Sequence, residues 1–148
     1  MLYRNNPLLV TNTLFEKAVF IDTSAFIELE INNKEAISCK NQIDQLSIPT
    51  YTTRLIIAET HKRLLFDHGN QKAFSFIANF LTSNIIVLNH DSTVDVSARD
   101  LILQYWDLDL TFCDAVSSVV MMNSGIYKTF TYDSHFQALG FVKIPPYY

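Results

Sequence analysis

The sequence predicts an α/β fold built on a mainly parallel sheet of about five strands. Three observations carry that expectation. Short apolar, β-favouring runs recur along the chain from residue 18 onward. Longer segments between them place their apolar residues at helical spacing. No internal repeat, low-complexity tract or Pro/Gly-rich linker interrupts the alternation, so one domain is expected.

The elements follow in order. "AVFID" (18–22) reads as the first strand and stops at an acid. "TSAFIELEI" and the polar stretch to "NQIDQL" supply one or two helices. "SIPTYTT" (47–53) is the second strand, with Pro49 at a strand start or an edge because proline cannot donate to the ladder. "TRLIIAETHKRLLFDHG" has helical character, and Gly69 is its expected stop. "NQKAFSFIANFL" (70–81) is another helix, followed by "IIVLN" (85–89) as strand three. Its Phe74, Phe76, Ile77, Phe80 and Leu81 exceed what one buried face needs, which leaves an interface as an alternative use for some of them.

In "DSTVDVSARDLILQY", Val94, Ala98, Leu101, Ile102 and Tyr105 share a helical face. In "TFCDAVSSVVMM", Phe112, Ala115, Val116, Val119 and Val120 are expected to do the same. "KTFTY" and "FVKIP" close the chain as strands four and five. Residues 1–16 are less patterned and read as an N-terminal extension, leaving 17–148 as the domain.

Composition narrows the function. The 148 residues are 49% apolar and 18% charged, which suits a packed core and excludes a disordered chain. A formal net charge of −4 gives no whole-molecule attraction to nucleic acid or anionic membrane. A polyanionic substrate would need a local device, such as a bound cation. Cys39 and Cys113 do not make a disulfide framework, and Cys113 sits in an apolar helical pattern that predicts a core position. "MLYRNNPLLVTNTLF" lacks the apolar run of a signal peptide, and no stretch approaches the roughly 18 apolar residues of a membrane span. A cytoplasmic setting without a membrane partner is the expectation.

Four acids draw attention. In open α/β sheets ligands bind beyond the carboxyl ends of the strands. Asp22 follows the first strand and Asp133 the fourth, so both are expected at that edge. Glu59 and Asp114 lie on helices among apolar neighbours and are placed to face the same edge. Structural roles compete at each position. Asp22 is placed to N-cap the next helix, and Asp133 to cap "SHFQAL". Thr111 and Asp114 have capping-box spacing. Glu59 has Arg63 four residues on, the spacing of a helical ion pair.

Taken together, "VFIDTSAFIEL", "RLIIAETHKRL", "LTFCDAVSSVV" and "TFTYDSHFQALGF" resemble the PIN-domain nucleases over about residues 18–142. That resemblance implies a single three-layer domain with an acidic cluster of Asp22, Glu59, Asp114 and Asp133. Ser24 and Thr131 match hydroxyl positions that support the acids. It further implies phosphodiester hydrolysis, RNA as substrate, frequent homodimers and, for small members, a role as the toxin of a VapBC-type pair held by an antitoxin.

The chemistry is consistent with that implication. At about 4 Å and an effective dielectric of 20, two carboxylates repel by roughly 4 kcal/mol. Such a group holds protons or attracts a hard cation, and oxygen ligands suit Mg²⁺ or Mn²⁺ over zinc. Asp22, Asp114 and Asp133 are the expected metal ligands, with Glu59 at a second metal or at the attacking water. Ser24 and Thr131 are expected to hold carboxylates by hydrogen bonds, and His135 to have a structural or supporting role. Arg54 and Arg63 flank Glu59 and are candidates for phosphate contact, with a solvated helix face as the alternative. A haloacid dehalogenase-like phosphatase would need Asp-x-Asp where this chain has Asp22-Thr-Ser24. A receiver domain would need an acid at strand three, which "IIVLN" lacks. The non-enzymatic alternative is a catalytically silent PIN-like module that binds RNA or protein.

Overall fold

The computed structural model describes residues 17–146, so the N-terminal extension lies outside the described residues. The chain runs β1 (Val19–Ile21), α1 (Thr23–Glu30), α2 (Lys34–Gln45), β2 (Thr50–Thr53), α3 (Arg54–His68) and α4 (Asn70–Leu81). It continues through β3 (Ile86–Leu88), α5 (Ser92–Gln104), a 3₁₀ turn at Trp106–Leu108, α6 (Phe112–Ser124), β4 (Lys128–Phe130), α7 (His135–Ala138) and β5 (Val142–Ile144).

The five strands form one sheet in the order β3-β2-β1-β4-β5, with every neighbouring pair parallel. β1 is central, and its three residues are buried on both faces, which explains the unbroken apolar run of the sequence. β2 follows Pro49 directly, so the proline marks a strand start and not an edge. Its Thr52 is fully buried and donates its hydroxyl to the Ile21 carbonyl at 3.0 Å.

Topology distributes the helices. Successive crossovers from β1 to β2 to β3 move one way along the sheet, and the connection from β3 to β4 moves back. Right-handed crossovers therefore put α1–α4 on one face and α5–α6 on the other, giving three layers. The larger core joins Phe20, Ile21 and Phe130 of the strands to Phe26, Ile43, Ile56, Leu64 and Phe76. The smaller core joins Val94 and Ala98 of α5 to Ala115, Val116, Val119 and Val120 of α6. Burying each large side chain stabilises the fold by about 1.5–3 kcal/mol.

Several local expectations are met and one is corrected. Gly69 ends α3 with φ +89°, a backbone conformation that disfavours any side chain. On α4, Phe76 is buried while Phe74 and Leu81 are exposed, so the helix does carry more apolar surface than its core face uses. Phe112 was expected on the buried face of α6 but is 49% exposed. It is the first residue of the helix, and the α5 side chains that cover the stripe reach only Ala115 and beyond. Among the described residues, no helix is long and apolar enough to cross a membrane.

Candidate active site

The strand order reverses between β1 and β4, and such a switch opens a crevice at the carboxyl ends of the strands. Asp22 stands there at the end of β1, only 3% exposed. It N-caps α1, and its Oδ2 accepts from the Ser24 backbone N–H at 3.4 Å, the Ser24 hydroxyl at 2.9 Å and the Thr131 hydroxyl at 2.9 Å. These hydroxyls also tie the far strand in place. Ser24 Oγ accepts from the Tyr132 N–H, and Thr131 Oγ1 from the Asp133 N–H, both at 2.9 Å. Two side chains thus fix the end of β1 against the segment leaving β4.

Burial dominates the Asp22 carboxyl and lifts its pKa from 3.8 to about 6. The Thr131 and Ser24 hydrogen bonds oppose that rise, and the nearby Asp114 charge adds to it. Asp114 comes from the first turn of α6, where the capping box expected from the sequence forms. Its N–H donates to Thr111 Oγ1 at 3.1 Å, and the Thr111 N–H donates to Asp114 Oδ2 at 3.3 Å. Burial pushes this carboxyl up, Thr111 holds it down, and the charges of Asp133 and Glu59 push it up again.

Glu59 is half-buried on α3. The expected pair with Arg63 does not form among the described residues. Glu59 Oε2 instead accepts the Thr23 hydroxyl at 2.9 Å, which anchors α3 to the start of α1. The Cys113 thiol lies within the electrostatic reach of Glu59. Cys113 was expected in the core; it packs partly on the core but turns its sulfur to the acids. Burial, then the charges of Glu59, Asp114 and Asp22, push the thiol pKa up and keep it protonated. Neither Thr23 nor Cys113 was singled out from sequence as part of the site. Their neighbours in sequence, Asp22 and Asp114, are the signal that would have found them.

Asp133 is about one-third exposed, and its Oδ1 accepts the His135 N–H at 2.9 Å; the N-cap position of α7 is Ser134, so Asp133 binds the helix start from one residue before the cap. The His135 ring lies against the cluster, with Nδ1 3.3 Å from Asp133 Oδ1 and 3.8 Å from Asp114 Oδ2. One ligand atom each of Asp114, Asp133 and His135 falls within 4.8 Å of the others. Asp114 is therefore within electrostatic reach of each of the other three acids. Arg54 and Arg63 are both exposed. Arg54 heads α3 and lines a groove of about 340 Å³ with Ile57, His61, Phe80 and Leu81.

Fold and site together define a parallel α/β domain whose strand ends gather carboxylates that, among the described residues, pair with no lysine or arginine. The chain belongs to the PIN domain family, whose model matches residues 19–142 and so spans all four acids. It is 26% identical to the 23S rRNA-specific endonuclease VapC20 of Mycobacterium tuberculosis (strain ATCC 25618 / H37Rv) over 95 residues, 64% of this chain and 72% of that protein. The crystal structure of VapC20 from Mycobacterium tuberculosis, a sarcin–ricin loop cleaving toxin, aligns with TM-score 0.73 and 25% identity. That match covers 84% of this chain and 96% of VapC20. A toxin–antitoxin complex from Klebsiella pneumoniae shares the fold at TM-score 0.62 and 16% identity, covering 87% of this chain and 98% of its own. FitAcB from Neisseria gonorrhoeae shares it at 0.61 and 12%, covering 88% and 99%.

Proposed function

We propose that this protein is a divalent-metal-dependent endoribonuclease and the toxin of a toxin–antitoxin module, acting in the cytoplasm. The observation that carries the proposal is the gathering of Asp22, Glu59, Asp114 and Asp133 at the carboxyl edge of a PIN domain. The donor set fits Mg²⁺ or Mn²⁺. Buried carboxylates with raised proton affinity are groups that a hard cation would relieve. Asp22, Asp114 and Asp133 would hold the ion. When bound, it would offset the negative charge facing the substrate, activate water and stabilise charge on the phosphoryl oxygens.

The remaining side chains take defined roles. Glu59, steadied by Thr23, offers an acceptor that orients the attacking water. Ser24 and Thr131 hold Asp22 in one rotamer, so that its carboxylate does not reorganise during the reaction. Arg54 and Arg63 contact phosphates flanking the scissile bond, a local grip suited to an acidic protein. Similarity to an rRNA-specific endonuclease supports structured ribosomal RNA as substrate. Similarity to the VapC20 structure, described as that of a toxin, supports an antitoxin as partner, and the exposed Phe74 and Leu81 of α4 support a second copy of the chain.

The test is cleavage of an RNA panel that includes a sarcin–ricin stem-loop, with DNA of the same sequence beside it. Cleavage should require Mg²⁺ or Mn²⁺, stop with EDTA, and fall by at least about 100-fold in Asp22→Asn and Asp114→Asn. Cleavage that persists unchanged in both variants places the chemistry elsewhere. RNA binding without cleavage, under any metal, favours a silent module.

A further inference from the structure

His135 departs from an all-oxygen metal site. Its Nδ1 is a buried atom that makes no hydrogen bond, although carboxylate oxygens lie 3.3 and 3.8 Å away. Those oxygens belong to different elements, Asp133 before α7 and Asp114 in α6. A buried ring nitrogen that lies between two carboxylates and holds no hydrogen bond is an arrangement a cation satisfies. One ligand atom each of Asp114, Asp133 and His135 lies within 4.8 Å of the others, close enough for one ion to draw all three together. The His135 N–H also donates to Asp133 Oδ1, which locks the residue's backbone to the oxygen beside its ring.

We infer that His135 Nδ1 is a ligand of the same ion as Asp114 and Asp133, so that the site prefers a first-row transition ion such as Mn²⁺ to Mg²⁺. The inference rests on the metal-dependent function proposed above. Imidazole nitrogen suits first-row transition ions, Mn²⁺ least strongly among them, whereas Mg²⁺ favours oxygen and gives up its water reluctantly. A nitrogen in the set therefore raises affinity for one class of ion with little effect on the other.

The experiment is Mn²⁺ and Mg²⁺ titration of the full chain by calorimetry, with pulsed electron paramagnetic resonance of the Mn²⁺-loaded protein. Wild type should bind Mn²⁺ at least about tenfold more tightly than Mg²⁺. Its spectrum should show nitrogen modulation that changes when histidine is isotopically labelled, a measurement that needs no variant. His135→Phe should lose that modulation and weaken Mn²⁺ binding by about 10- to 100-fold, with Mg²⁺ affinity changed by less than about threefold. Mn²⁺ bound without nitrogen modulation, or an unchanged preference in His135→Phe, overturns the inference and leaves the nuclease proposal standing. Wild type that binds neither ion overturns both.

Discussion

Asp22 yields the sharpest quantitative prediction. Its carboxyl titrates at 3.8 when exposed and at about 6 in the folded protein, chiefly because of burial. Between about pH 4 and pH 6 the folded state holds more protons than the unfolded state, so stability falls as pH rises through that window. Above it both states are ionised, and the loss is complete. At about 1.4 kcal/mol per pKa unit, the shift amounts to about 3 kcal/mol. Asp22→Asn keeps the side-chain shape and an acceptor for Ser24 and Thr131, and it removes the charge.

In EDTA above pH 6 the variant should be more stable by about 1–3 kcal/mol, the lower end allowing for an amide N–H₂ that lacks a partner. For a domain of this size that is a rise in Tm of roughly 3–10 °C. The gain should shrink towards zero near pH 4. Urea and thermal denaturation between pH 4 and pH 8 measure it directly. An Asp22→Asn protein no more stable than wild type at pH 7.5 would show that the burial argument is wrong. A gain of equal size at pH 4 would refute the charge as its cause.

Three further outcomes are expected. Asp114→Asn should leave metal-free stability unchanged or higher, since partial loss of the cap opposes relief of repulsion. Mg²⁺ should then raise the Tm of wild type more than that of the variant, and equal shifts would count against Asp114 as a ligand. Thr131→Ala removes the donor to Asp22 and the acceptor for the Asp133 N–H; it should cost about 1–3 kcal/mol and at least about tenfold in cleavage, with Thr131→Ser restoring both. Arg54→Ala and Arg63→Ala should each raise KM for RNA and flatten the dependence of binding on salt while leaving kcat within about threefold, as measured by filter binding and steady-state cleavage.

The sequence made the strand-end acids legible because topology alone puts them together. In a parallel sheet every strand ends at the same edge, so a run such as "AVFID" or "KTFTYD" positions its acid without reference to side-chain detail. The parallel sheet and its helical crossovers were legible for the same reason. What escaped depends on rotation about a helix axis and on which neighbour arrives first. Glu59 and Arg63 have the spacing of an ion pair, yet Thr23 reaches the carboxylate from another helix. Phe112 has the spacing of a core residue, yet it stands one turn before the cover that α5 supplies. Cys113 has apolar neighbours, and its thiol still turns to the acids. His135 was expected to have a structural or supporting role, and nothing in its spacing shows that its ring also reaches Asp114.

Capping and chemistry were competing explanations for three of these acids, and the structure makes them one arrangement. Asp22 caps α1, Asp114 belongs to the capping box of α6, and Asp133 accepts the first N–H of α7. The N-termini of α1 and α6 carry partial positive charge, and each favours a nearby carboxylate by about 0.3–1 kcal/mol. That is enough to hold the acids in place in the free protein. It is less than the roughly 3 kcal/mol by which the surroundings of Asp22, taken together, disfavour its carboxylate. The helix ends therefore orient the carboxylates and leave their charge unbalanced. A site built in this way stays ordered without a cation and still gains from binding one, which a chain of net charge −4 needs at the point where a polyanion must approach.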